Sequence, residues 1–343
     1  MKFAPVPLDR AEGKILGHNI AGPDGQRLLR KGKALTSADI AALREMGHRS
    51  VYAAELEPGD VGEDDAARAV AAQVMGHGLL PSFAGGGRMN LIAAQLGVAR
   101  VDAERLNRIN EIEGLTIATV ANHAAVNAKQ IVATIKIIPF AVPASAIETA
   151  RRICSESDRP IIRLDALPAR RVVLILSGMP SVRDRVVSDF EPALRARIEA
   201  LGSHLAAVDY VPLESEDSER DLSQALVRHA ESGAQLIVLA GETAIMDRHD
   251  IVPRAIERVH GEVTCFGAPV DPGNLLMVAY LGELPILGAP GCARSRKINV
   301  VDWVLPRLLA GDRLTRRDIT SLGVGGLLEE IGERPRPRAA KPL

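Results

Sequence analysis

The sequence is short of aromatic residues and of net charge. Only 3% of its 343 residues are Phe, Trp or Tyr, although 47% are hydrophobic. It therefore has few of the planar side chains on which proteins that bind single-stranded nucleic acid stack bases. Its 42 Lys and Arg residues are balanced by 43 Asp and Glu residues, giving a formal net charge of −1. We expect neither a nucleic acid nor an anionic membrane as the main partner.

The chain also lacks paired cysteines and long hydrophobic runs. Cys154, Cys265 and Cys292 stand singly, without Cys-x-x-Cys spacing, which is typical of a reducing compartment rather than of a disulfide framework. The most apolar run, IKIIPFAVPASAI, contains Lys136 and two prolines and is too short for a bilayer span. Because the N-terminus has no apolar signal core, we expect a cytoplasmic protein with no membrane partner.

Two kinds of pattern divide the first half of the chain. Residues 1–80 mix helix and strand signals and predict an α+β region: Thr36 or Ser37 can cap a short helix that Gly47 ends, and SVYAAEL is strand-like. Short runs rich in Val, Ile and Thr predict a β-rich module over residues 81–165.

Two stretches in this half have both a functional and a simpler interpretation. Glu63, Asp64 and Asp65 resemble a metal-binding cluster, but the first turn of a helix also favours acidic residues, and we prefer that explanation. The bare backbone of FAGGGRMN could approach a phosphate. No helix is predicted to follow it, so a hairpin loop is the better interpretation.

From residue 166 to 330, strand-length apolar runs alternate with amphipathic helical segments. This alternation predicts an α/β domain built as a three-layer, mostly parallel sheet with helices on both faces. The Pro- and Arg-rich tail at residues 331–343 is expected to be flexible.

Several loops of this domain are expected at one edge of the sheet. SGMPS, AGETAIMD and GAPGCARS each follow a strand-like run, and ligands of parallel sheets bind beyond the carboxyl ends of the strands. A fourth loop, APVDPGNLL, adds another Pro-Gly pair. None of them matches GxGxxG or GxxxxGK[ST], which disfavours a dinucleotide site and an ordinary ATPase. Their glycines and hydroxyls instead predict one pocket for a phosphate or a polar heterocycle.

The order of these motifs resembles that of the molybdopterin-binding domain shared by molybdopterin molybdotransferases and molybdopterin adenylyltransferases. The matching positions are Ser177-Gly178, the loop with Gly241, Thr243 and Asp247, and the pairs Pro272-Gly273 and Pro290-Gly291. The sequences of these loops are most similar to those of a molybdopterin-binding half that some bacteria fuse to a nucleotidyltransferase related to molybdenum cofactor cytidylyltransferase. AEGKILGHNI and the residues after it also resemble the N-terminal part of these proteins, so the resemblance covers most of the chain.

The resemblance implies a molybdopterin-binding fold and a role in molybdenum cofactor biosynthesis. It implies molybdopterin or adenylyl-molybdopterin as the ligand, Mg²⁺ held by Asp247, and molybdate as a further substrate. It also implies a homodimer that works with a molybdenum cofactor nucleotidyltransferase or with a molybdoenzyme. The implied pterin-binding positions are Ser177, Gly178, Gly241, Glu242, Thr243, Asp250, Pro272, Gly273, Asn274, Pro290, Gly291, Cys292, Arg294 and Ser295.

The chain departs from the family pattern at positions that matter for chemistry. Glu242 stands in place of a second glycine, and Asp271 and Asn274 stand where molybdotransferases have lysines. An oxyanion would be repelled there unless Arg294 and the cations after it, or Mg²⁺, offset the charge. Binding is therefore better supported than molybdate insertion. A molybdotransferase-like enzyme and a carrier without chemistry of its own both stay open, and a regulatory domain that senses another anion is a third alternative.

Several of these residues have both a functional and a structural interpretation. Asp247 is either the catalytic residue, holding Mg²⁺ beside the pterin pyrophosphate, or a loop acid, and Asp250 either assists it or caps the next helix. Glu242 either accepts a hydrogen bond from an N–H edge of the pterin or is a solvated loop residue. Cys292 is expected to be a packed small residue rather than a thiolate, and Arg294 is the preferred phosphate contact.

Overall fold

The chain folds into two compact units. In this computed structural model, which describes residues 1–213, 217–242 and 245–328, unit 1 is Met1–Asp165 and unit 2 begins at Ala166. The tail predicted at residues 331–343 lies outside the described residues. Within the described ranges, no helix is long and apolar enough to cross a membrane.

Unit 1 contains short strands and four helices of more than one turn in its described chain. Its strands are β1 (Lys2–Pro7), β2 (Ile15–Leu16), β3 (Ile20–Ala21), β4 (Arg27–Leu29), β5 (Ser50–Glu55), β6 (Asp60–Gly62), β7 (Leu79–Phe83), β8 (Arg88–Ala93), β9 (Gly97–Val101), β10 (Leu115–Thr119), β11 (Ala125–Val126), β12 (Ile131–Ile137), β13 (Ala141–Pro143) and β14 (Ile162–Ala166). Its helices are α1 (Ser37–Glu45), α2 (Glu63–Val74), α3 (Ala103–Asn110) and α4 (Ala144–Cys154).

The first core of unit 1 lies between helix α1 and the antiparallel sheet β1–β5–β2. Helix α1 begins as the sequence predicts. The Thr36 hydroxyl accepts the Asp39 N–H, and the Asp39 carboxylate accepts the Thr36 N–H, which together form a capping box. Thr36 rather than Ser37 is therefore the N-cap.

The second core packs helices α2 and α4 against the antiparallel sheet β10–β12–β8–β7. Helix α2 falls within residues 1–80 of the predicted division, yet its buried face belongs to this core. The glycine stretch between β7 and β8 closes a hairpin, and Gly85, Gly86 and Gly87 all have positive φ. The hairpin interpretation of FAGGGRMN is confirmed.

The acidic start of α2 is held by local partners. Asp64 accepts the Gly87 N–H at 2.7 Å, and Glu63 lies 3.2 Å from the ammonium group of Lys136. Nowhere in the described part of the chain do three or more His, Cys, Asp or Glu side chains form a group that could hold a metal ion. These contacts favour a helix start over a metal cluster.

Two helices interrupt the region predicted to be β-rich. Helix α3 follows Asp102, whose carboxylate accepts the Arg105 N–H at 3.1 Å. Helix α4 follows β13 directly, with Pro143 in the N-cap position and no side-chain cap. Both bury a narrow apolar face in the second core, through residues such as Ile109 and Ile153. The prediction of a β-rich module did not include these two helices, although the Asp102 cap and the Ala, Glu and Arg residues of both segments favour helix formation.

Unit 2 alternates strands with longer helices. Its strands are β15 (Arg171–Gly178), β16 (His204–Pro212), β17 (Leu236–Gly241), β18 (Glu262–Phe266), β19 (Met277–Leu281) and β20 (Leu284–Gly288). Its helices are α5 (Arg183–Ala200), α6 (Ser218–Glu231), α7 (Ile251–Arg258), α8 (Val300–Ala310) and α9 (Arg316–Thr320).

The strands of unit 2 form one mixed sheet in the order β16–β15–β17–β20–β19–β18. Neighbours are parallel from β16 to β20, whereas β19 is antiparallel to both β20 and β18. A tight turn at Gly282, with φ +60°, joins β19 to β20, and a connection this short permits only antiparallel pairing. The sequence prediction of a mostly parallel sheet did not include this reversed strand.

Both faces of the sheet are covered by helices. Leu174 and Leu176 of β15 pack in a core that includes side chains of α5 and α8, whereas Val173 and Ile175 pack in a core that includes side chains of α6 and α7. Burial on both faces explains why this strand is continuously apolar in the sequence rather than alternating.

Helix α5 begins at Arg183, several residues before the helix predicted around DFEPALRARIEALG. Val186 and Phe190, four residues apart, extend its buried face toward the N-terminus. This earlier start brings Arg183 and Arg185 close to the end of β15.

Candidate functional site

Four loops of unit 2 leave the same edge of the sheet. Strand register pairs Ser177 of β15 with Gly241 of β17, and Leu239 of β17 with Gly288 of β20. Because these strands are parallel, their carboxyl ends lie side by side. Register also pairs Met277, the first residue of β19, with both Gly288 and the last residue of β18. The loop that follows β18 therefore emerges at this edge as well.

Glycines allow the strand ends to approach closely. A Cβ on Gly241 would lie 2.3 Å from the Ser177 carbonyl oxygen, and a Cβ on Gly178 would lie 2.9 Å from the Tyr210 hydroxyl. The Glu242 N–H donates to the same Ser177 carbonyl at 3.0 Å, so the pairing continues into the loop. The glycines predicted here for ligand contact are also required for strand packing.

Glu242 is already paired. Its carboxylate lies 2.7 Å from a guanidinium nitrogen of Arg185, at the start of α5. Tyr210 stands beside it, donating its hydroxyl hydrogen to the Met179 carbonyl at 2.8 Å. Burial and the Glu242 charge raise the pKa of Tyr210. Arg185 and Tyr210 were not singled out from the sequence, although Arg185 lies in the first turn of α5 and Tyr210 lies near the end of β16.

Asp247 and Asp250 organise a turn. One Asp250 oxygen accepts the N–H groups of Met246 at 2.6 Å and Asp247 at 3.0 Å. One Asp247 oxygen accepts the His249 N–H at 2.7 Å. Asp250 does occupy the N-cap position of α7, but its carboxylate makes no capping bond to that helix. It points back to the preceding turn, so the expected cap is absent.

The Pro272-Gly273 loop packs on the start of α8. The Asp271–Pro272 peptide bond is cis, and Gly273 has a φ of +138°. A Cβ on Gly273 would lie 2.3 Å from a Val300 methyl group, and the Val300 N–H donates to the Pro272 carbonyl at 3.2 Å. Asn274 joins the loop ends, since its carbonyl accepts the Ala268 N–H at 2.8 Å. Only a glycine fits this close contact with the helix.

The Pro290-Gly291 loop forms a 3-10 turn over Gly291–Arg294. The Arg294 side chain is 62% exposed, and its guanidinium lies 4.0 Å from the Asp189 carboxylate, so it can reach a ligand. Ser295 ends the turn by donating its N–H to the Cys292 carbonyl at 2.9 Å. Burial raises the pKa of the Cys292 thiol, which agrees with a packed residue rather than a thiolate.

The pocket between the strand ends is small. Its water-accessible volume is about 10 Å³, roughly the space of one water molecule. Ile245, 8% exposed, fills it and would contact a Cβ on Gly288 at 2.9 Å. A tricyclic pterin does not fit inside this pocket, so a ligand of that size would have to lie across the open rim above it.

Ser177 lines that pocket, and the residue is 6% exposed. Thr243, predicted to bind beside it, lies outside the described residues.

Comparisons with known proteins give a short family match and remote structural similarities. A family described as a domain of unknown function (DUF8806) matches residues 5–55. No curated protein matches the chain.

Three of the similar solved structures are molybdenum cofactor biosynthesis proteins. One from Pyrococcus furiosus is 12% identical over 93% of this chain, with a TM-score of 0.24. The molybdopterin biosynthesis MoeA protein from Pyrococcus horikosii is 14% identical over 90% of this chain and 75% of its own, with a TM-score of 0.30. Molybdenum cofactor biosynthesis protein B is 12% identical over 47% of this chain and 97% of its own, with a TM-score of 0.27.

These similarities are too remote to assign a function to this chain. All three TM-scores are 0.30 or lower. The chain also covers 65% of the Pyrococcus furiosus protein, less than two thirds of its length. Any functional assignment therefore depends on the arrangement of the four loops and on the order of their motifs.

Proposed function

We propose that unit 2 binds a phosphorylated pterin of the molybdopterin class across the carboxyl edge of its sheet. The observation that carries the proposal is the convergence of four loops at this edge, fixed by strand register. The order of their motifs supports the pterin as the ligand, and the fold implied is the three-layer molybdopterin-binding fold.

Exposed cations at the rim support a phosphorylated ligand. Arg294, Arg296 and Lys297 follow the Pro-Gly turn and are exposed. The Arg294 guanidinium lies 4.0 Å from the carboxylate of Asp189 on α5. A guanidinium that reaches a phosphate forms a strong, charge-assisted hydrogen bond.

The residues present do not complete a site for Mg²⁺. The Asp250 carboxylate accepts two backbone N–H groups and Asp247 accepts one, and the described chain offers no group of three metal-binding side chains. The proposal is therefore ligand binding, without a reaction step on Mg²⁺ or molybdate. The paired state of Glu242 and the Asp271 charge favour a carrier of molybdopterin or its adenylylated form over a molybdotransferase.

Calorimetric titration with molybdopterin tests binding. We expect the wild type to bind and Arg294→Ala to raise the Kd roughly ten- to a hundredfold, because one charge-assisted hydrogen bond is worth roughly 1.5–3 kcal/mol. Arg195→Ala is the matched control, since Arg195 lies on α5 and pairs with Glu191 and Glu199. Absence of binding by the wild type would rule out the proposal.

A turnover assay separates the carrier from the enzyme. Incubated with adenylyl-molybdopterin, molybdate and Mg²⁺, a carrier retains the ligand and releases no AMP. Catalytic release of AMP that is lost in Asp247→Ala would instead establish the molybdotransferase-like function and the catalytic role of Asp247.

The proposal also includes partner proteins. The sequence resemblance supports a homodimer, and a nucleotidyltransferase or a molybdoenzyme as the recipient of the ligand. Sedimentation velocity of the purified chain decides between a monomer and a dimer.

A further inference from the structure

Arg197 of α5 holds the backbone of the loop after Pro290. Its side chain is only 10% exposed. Its guanidinium donates to the carbonyl oxygens of Ala293 at 3.1 Å, Ser295 at 2.8 Å and Lys297 at 2.9 Å. Three alternate carbonyl groups of one loop therefore turn inward onto a single side chain.

A second helix completes this arrangement. Asp302 of α8 accepts the Arg197 Nε–H at 2.9 Å and so balances the buried charge. The other Asp302 oxygen accepts the Asn299 N–H at 2.8 Å. The Asn299 side-chain amide donates to the Lys297 carbonyl at 3.1 Å. The loop is thus held from α5 by Arg197 and from the start of α8 by Asn299.

We propose that Arg197 is the positioning residue of the ligand site: by fixing the loop carbonyls inward, it presents Arg294 to the ligand. This rests on the proposed function, because it assigns how the phosphate-contacting loop is held. Arg197 itself does not contact the ligand, since Asp302 and the carbonyl groups occupy its donors. Its contribution is geometric rather than electrostatic.

The contacts require arginine rather than any cation. A guanidinium carries five N–H donors in a fixed plane, whereas the lysine ammonium directs three donors from one point. Lysine at this position would keep the charge beside Asp302 but could not reach all three loop carbonyls together. Arg197→Lys therefore removes the geometry and leaves the charge.

Hydrogen exchange and anion binding of Arg197→Lys test the inference. We expect the loop amides of Ala293 and Ser295 to exchange about tenfold faster than in the wild type, and the Kd for inorganic pyrophosphate to rise about tenfold. Arg195→Lys, two positions earlier on the same helix, should change neither. Circular dichroism establishes that both variants are folded.

Each result either supports or overturns the role proposed for Arg197. The positioning role is overturned if the loop amides of Arg197→Lys exchange hydrogen at the wild-type rate. It is also overturned if they exchange faster while the Kd for pyrophosphate stays unchanged. If Arg197→Lys does not fold, Asp302→Asn replaces it, and faster exchange confined to the loop is again required. A wild type that binds neither pyrophosphate nor molybdopterin defeats the proposed function, whereas the exchange rates still report on the loop separately.

Discussion

At the residue scale, the side chains at the candidate site are engaged with one another more than the sequence indicates. Motif order correctly placed Ser177 and Gly241 beside each other, because parallel strands end at a common edge. It could not show that Glu242 pairs with Arg185, since that contact depends on where α5 begins. Nor could it show that the Asp250 carboxylate accepts N–H groups of the preceding turn rather than of α7.

Asp318 of α9 has a strongly lowered pKa. Asp318 accepts from the Thr315 N–H and hydroxyl, and from the mostly buried Arg307 guanidinium at 2.7 Å. Burial raises its pKa, but the hydrogen bonds from Thr315 and Arg307 outweigh burial and lower the pKa to about 2. A depressed pKa stabilises the fold above the ordinary value of 3.8, and this stabilisation is lost as pH falls toward about 2.

Asp318→Asn should therefore lower the free energy of unfolding by about 2 kcal/mol near neutral pH, and the difference from the wild type should shrink between about pH 4 and pH 2. Urea unfolding at several pH values measures this. Asp221→Asn, which removes an exposed carboxylate 3.8 Å from Arg220, serves as the control, with an expected change below about 0.5 kcal/mol. A difference independent of pH would contradict the explanation.

At the element scale, strands were easier to predict than the limits of helices. The continuous apolar runs of β15 and β17 identify strands buried on both faces, and the Thr36 capping signal locates the start of α1. Helix α3 was not predicted, because the strand-like runs around it obscured the Asp102 cap. The start of α5 was missed because tertiary packing of Val186 and Phe190 extends this helix toward its N-terminus. The reversal of β19 depends on a short turn that the alternating pattern concealed.

Adding one methyl group tests how closely the ends of β15 and β17 pack. Gly241→Ala places a Cβ 2.3 Å from the Ser177 carbonyl oxygen, so the strand ends must separate. We expect the free energy of unfolding to fall by about 1–3 kcal/mol, the usual cost of overpacking. Gly291→Ala is the control at the same edge, because nothing lies within 4 Å of the added Cβ. Equal stability of the two variants, measured by urea unfolding, would show that this strand contact is not tight.

At the scale of the whole molecule, the chain combines a unit with two separate cores and a unit with one sheet covered on both faces. The sequence located the loops of the candidate site but not the size of the pocket between them. That size depends on Ile245, an ordinary apolar residue whose position is set by the fold of its loop. The ligand surface we propose is therefore the open rim, where the exposed Arg294 lies.

Hydrogen–deuterium exchange of the whole chain, with and without molybdopterin, tests the central claim most directly. We predict that the ligand slows exchange in residues 177–185, 240–242, 268–274 and 289–297, and leaves unit 1 and the surface of α6 and α7 unchanged. Slowed exchange confined to other segments, or no change at saturating molybdopterin, would contradict the assignment of the carboxyl edge of the unit 2 sheet as the pterin site.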